Sequence, residues 1–113
     1  MKKLLALFVV FLLCSSATHD VTFVLPRVIT NGMVVGTVSA YDPDKGQKLK
    51  YSIISGNSYT SFKISSSTGV LSVNNAAYIK SRTKKYFSLV IRVTDNGIPP
   101  LSAQATVTVI TRK

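Results

Sequence analysis

Four aspartates, Asp20, Asp42, Asp44 and Asp95, and no glutamate make up the acidic side chains of this 113-residue chain, against 14 lysines and arginines. Asp42 and Asp44 close one apolar, branched stretch, and Asp95 closes another with Asn96 directly behind it. If successive segments reverse between two poles, these three carboxylates gather at one of them. Clustered carboxylates with an asparagine and loop carbonyls are hard oxygen donors, which suit calcium with its six to eight oxygen ligands. Any one of them alone is equally a solvated loop cap or an Asx turn, and the twelve-residue ligand rhythm of an EF-hand is absent. Catalytic chemistry is poorly supplied. His19 is the only histidine, and a general base or a triad needs a partner that the sequence does not offer. The single cysteine, Cys14, falls in an N-terminal leader, so a disulfide framework, a thiol nucleophile and a thiolate zinc site are all excluded from the mature chain. The chain reads as a noncatalytic protein.

The leader is a basic start, Met1-Lys2-Lys3, followed by an unbroken apolar run from Leu4 to Leu13 and then Cys14-Ser15-Ser16-Ala17. Small residues at that point place signal-peptidase cleavage after Ala17. The run is too short for a membrane span, which needs about 20 residues, and no later segment approaches that length. Residues 1–17 are therefore expected to be a signal peptide, and 18–113 a single secreted domain without a membrane span. Removing Lys2 and Lys3 with the leader lowers the formal charge from +10 to +8. No asparagine begins an Asn-x-Ser/Thr acceptor for N-linked sugar.

Period-two patterns separated by turn signals supply the elements that would position the carboxylates, and no window keeps a helical apolar stripe for three turns. Strands are expected at Val21 to Leu25, Met33 to Ala40, Leu49 to Ser55, Phe62 to Ser65, Val70 to Val73, Tyr86 to Thr94 and Gln104 to Thr111. Turns fall at Tyr41-Asp42-Pro43-Asp44-Lys45-Gly46, Gly56-Asn57-Ser58, Ser66-Ser67-Thr68-Gly69 and Asp95-Asn96-Gly97-Ile98-Pro99-Pro100. The stretch from Asn74 to Lys85 reads as looser and polar. Phe87, Leu89, Ile91 and Val93 share one face of their strand, as do Ala105, Val107 and Val109 of theirs. Seven short strands at this spacing give an all-β double sheet.

The run from Gly32 to Asp44, with its Val-rich strand leading into Ala40-Tyr41-Asp42-Pro43-Asp44, resembles a cadherin repeat. Tyr51-Ser52-Ile53, Gly56-Asn57, Phe62-Lys63-Ile64 and Gly69-Val70-Leu71 follow in cadherin-like order, and Tyr86 to Ser102 is similar to the most recognisable part of that repeat. The resemblance covers about Val21 to Thr111. It implies a seven-strand Greek-key immunoglobulin-like sandwich and an extracellular adhesion module. Calcium sits between successive repeats in that family, and Asp42, Asp44 and Asp95 match the half-site facing the preceding repeat. The other half-site departs from the family: where its Pro-Glu and Leu-Asp-Arg-Glu motifs are expected, this chain has Pro26-Arg27 and Ile79-Lys80-Ser81-Arg82. Three expected carboxylates are thereby Arg27, Lys80 and Arg82, and positive side chains repel a divalent cation.

Arg27, Lys80 and Arg82, joined by Lys84 and Lys85, can instead form a cationic patch for acidic glycans, anionic lipid or an acidic protein surface. The blander reading of the same residues, a solvated face that guards edge strands, carries more weight. Nucleic acid is not an expected partner, because the aromatic residues fall mostly in strands and the chain is exported. Tyr41, Tyr59 and Tyr78 are the aromatics expected at the surface, Tyr59 either as a contact residue or packed on the sheet edge. Three functions stay open: an adhesion or protein-interaction module with weak calcium binding, partnered by another cadherin-like repeat; a calcium-independent binder using the basic patch; and a truncated product without an independent role.

Overall fold

Alternation over Tyr86–Asp95 sends Phe87, Leu89, Ile91 and Val93 to one side, where all are buried, and leaves Tyr86, Ser88 and Arg92 exposed. The two-residue period of an extended chain requires this. Along Ser102–Ile110 it buries Ala103, Ala105, Val107 and Val109. The two segments pair antiparallel, from Tyr86 opposite Ile110 to Thr94 opposite Ser102.

The computed structural model describes residues 8–12, 19–41, 48–81, 86–97 and 102–112. Its strands are β1 Phe8–Leu12, β2 His19–Val24, β3 Val34–Tyr41, β4 Leu49–Ser55, β5 Phe62–Ile64, β6 Val70–Val73, β7 Tyr86–Asp95 and β8 Ser102–Ile110, with one short helix, α1 Ala76–Ser81. They form two four-stranded sheets, in the order β1-β3-β6-β5 and β2-β8-β7-β4. The expected all-β sandwich is present, and each of the seven strands expected after the leader forms within a residue or two of its expected bounds, the usual scatter of strand ends.

Two features differ from the reading of the sequence. The segment from Asn74 to Lys85, taken as loose, contains α1. Six residues are too few to be helical alone, and one local bond and several tertiary contacts hold them: the side-chain oxygen of adjacent Asn75 accepts the Tyr78 amide at 3.1 Å, the Asn31 side-chain oxygen accepts the Ala76 amide from far along the chain at 2.8 Å, and Ala76 and Ile79 are buried one turn apart. In addition, part of the apolar run that was expected to be a leader is extended. β1 pairs in parallel with β3, Phe8 opposite Thr37 through Leu12 opposite Tyr41, which satisfies backbone groups that an edge strand otherwise leaves open.

The core lies between the sheets. Phe23 and Leu25 from β2 and the residue after it, Val38 from β3, Phe62 from β5, Leu71 and Val73 from β6 and Ile79 from α1 meet the buried faces of β7 and β8. Phe62 and Phe87 cross from one sheet to the other, with ring centroids 5.5 Å apart at 73°, the edge-to-face arrangement that aromatic quadrupoles favour.

Strand direction defines two poles. Parallel β2 and β8 end side by side, Val24 opposite Ile110, and β7 begins there with Tyr86. At the other pole β7 ends, β8 begins and β4 enters, with Leu49 opposite Asp95.

Candidate functional site

Asp95 is the last residue of β7 and is only 6% exposed, although it is an acid. Its Oδ1 accepts the Gly97 amide at 3.0 Å, an Asx-type turn that steers the chain out of the sheet. Asn96 fastens the neighbouring strand: its Oδ1 accepts the Lys48 amide at 3.0 Å, just before β4 pairs with β7. Lys48, Leu49, Lys50, Thr94, Asp95 and Asn96 line a cleft of about 450 Å³. Carboxylate oxygens are hard donors of the kind that calcium takes.

Asp42 and Asp44 lie outside the described residues. Their segment, 42–47, leaves β3 after Tyr41 and rejoins the described chain at Lys48, beside Asp95. Asp20 takes no part in this pole. It is exposed on β2 opposite Thr106, four residues into β8 from Ser102, or about 13 Å along the strand. The structure adds two residues that the sequence reading did not weigh. Lys48 and Lys50 are exposed on the lining of the Asp95 cleft, and their charge opposes any divalent cation there. The signal was available in the turn lengths, because a strand entering at Leu49 to pair with the end of β7 must carry both lysines past Asp95.

Arg27 is exposed at the opposite pole, after β2, and Lys80 is exposed in the last turn of α1. Arg82, Lys84 and Lys85 lie outside the described residues. Arg112, which was not among the expected patch residues, lines a cleft of about 560 Å³ with Arg27, Val24, Leu25, Pro26 and Val28. It is found only through the parallel register of β2 and β8, which brings two strand ends far apart in sequence to the same place. Tyr59 is 73% exposed, and its ring packs at a 38° tilt against that of half-buried Tyr78 with centroids 4.5 Å apart. The Tyr41 side chain lies outside the described residues.

Two four-stranded sheets in this order, packed face to face, form an immunoglobulin-like β-sandwich. Residues 23–110 match the Cadherin domain, and the chain belongs to that family. Human Protocadherin-10 is 39% identical over 88 residues, which span 76% of this chain and 8% of that protein. Human Protocadherin Fat 1 is 40% identical over 82 residues, 71% of this chain and 2% of that protein. Among solved structures, the protocadherin gammaB7 EC3-6 cis-dimer structure superposes with a TM-score of 0.71 at 29% identity, covering 80% of this chain and 22% of that one. Mouse Cadherin-23 EC22-24 gives a TM-score of 0.71 at 25% identity, covering 86% and 31%. The chain thus spans a small fraction of the length of these relatives. Among the described residues, no helix is long and apolar enough to cross a membrane.

Proposed function

We propose that the chain is a noncatalytic extracellular module for cell adhesion or protein interaction, with a weak calcium site formed by Asp95 together with Asp42 and Asp44. The observation that carries this reading is the buried Asp95 carboxylate at the pole where the 42–47 segment rejoins the sheet. Bound calcium would tie the β3–β4 connection to the end of β7 and stiffen the face offered to a neighbouring repeat. Few acids and two flanking lysines favour an affinity in the roughly 10⁻⁴ to 10⁻³ M range of extracellular modules. With a Kd near 1 mM, tenfold more calcium adds about 1.4 kcal/mol of stability, or about 6 to 11 °C in Tm for a domain of this size. Thermal melts in calcium and in chelator should therefore separate by this amount for the parent protein and coincide for Asp42→Asn. Superimposed melts for the parent would sink the calcium part of the reading.

Export follows from the leader, with residues 18–113 as the mature domain. Cleavage after Ala17 removes β1 and frees the β3 edge from Thr37 to Tyr41 that β1 covers. The protein recovered from culture medium is expected to begin at Thr18 by intact mass. A medium-borne product that still contains Phe8 would refute the leader.

A further inference from the structure

The cleft where β2 and β8 end combines two properties that call for one kind of occupant. Its wall is apolar: Leu25 is buried, while Val24 and Val28 are 44% and 73% exposed, and Pro26 lies between them. Its charge is purely positive among the described residues, because Arg27 and Arg112 both line it. The described carboxylates are remote, with Asp95 at the other pole and Asp20 opposite Thr106, four residues before the Val24–Ile110 pair, about 13 Å along the strand. That exceeds the screening length of about 8 Å in physiological salt.

We infer that this cleft docks an acidic segment of a partner protein, with an apolar side chain against Val24 and Val28 and flanking carboxylates on Arg27 and Arg112. Guanidinium groups take carboxylates through two parallel N–H bonds, a geometry lysine lacks. A sulfated glycan would satisfy the arginines but gain nothing from the valines, so the apolar wall selects a polypeptide. The site is independent of the calcium pole, and it operates with calcium chelated.

The test is fluorescence anisotropy in chelator with the purified protein and a short dye-labelled peptide carrying one Leu between pairs of Glu. A peptide of the same length with Ser for Leu and a heparin fragment serve as competing probes. Arg27→Glu and Arg112→Glu are each expected to weaken the Leu peptide about tenfold or more, and Val28→Ser about fourfold. All three residues are exposed, and unchanged thermal melts would show that the variants fold. Binding should weaken as salt rises from about 50 to 300 mM. Loss of affinity for the Ser peptide together with a Val28→Ser effect supports the inference. No saturable binding of the Leu peptide, equal affinity for Leu and Ser peptides, or preference for heparin with no Val28→Ser effect overturns it.

Discussion

Phe62→Ala is expected to cost about 3–5 kcal/mol of folding stability, the usual range for a buried phenylalanine cut back to a methyl group. Phe62 is 1% exposed and comes from β5, whose three residues give the edge of its sheet little pairing of its own. Its ring packs edge-to-face on Phe87 of the opposite sheet. The backbone around it is fixed as well: the Asn57 side chain donates to the Phe62 carbonyl and accepts its amide, both at 2.8 Å. A site held on both sides has little freedom to collapse into the void, and that raises the cost within the range. Domains of this kind are stable by only about 5–15 kcal/mol, so the variant should have a much lower urea midpoint at unchanged slope. A loss below about 1 kcal/mol would mean that β5 is not anchored through this ring.

Gly56→Ala should be nearly as damaging, for a different reason. Gly56 has φ of +84°, and a Cβ added there would meet the backbone carbonyl of Ser88. Left-handed backbone costs an L-residue about 1–2 kcal/mol, and forcing an atom into packed surroundings typically adds 1–3 more, about 2–5 kcal/mol in all. Ser88 cannot yield easily, because it is paired with Thr108 of β8, and two residues further on β7 is paired with β4 as well. Gly32 is the matched control. Its φ is +87°, but nothing lies within 4 Å of an added Cβ, so Gly32→Ala should show the conformational cost alone. Equal losses for the two variants, by chemical denaturation, would remove the close approach to Ser88 from the explanation.

The strands were legible because their burial is one-sided. A residue such as Val93, with neighbours Arg92 and Thr94, announces a face by composition alone. α1 was not legible, since Ala76 and Ile79 give only one apolar repeat and, beside the local bond from Asn75, its first turn depends on Asn31, which is far away in sequence. Phe8–Leu12 has the composition of a leader and also of a strand, and pairing with β3 is a tertiary event that no local pattern encodes. Of the candidate sites, Asp95 was readable from its place after a strand, but its burial and the nearness of Lys48 and Lys50 depend on the β4–β7 register. Arg112 belongs with Arg27 only because β2 lies parallel to β8.

The calcium pole is most directly tested by heteronuclear NMR of the ¹⁵N-labelled mature protein during a calcium titration, with Asp42→Asn as control. Saturable shifts at Lys48, Asp95, Asn96 and Gly97, with a midpoint in the roughly 10⁻⁴ to 10⁻³ M range and absent from the variant, are the expected result. Amides that stay unmoved at this pole well beyond that range, or that shift equally in Asp42→Asn, would contradict a calcium site built on these three aspartates.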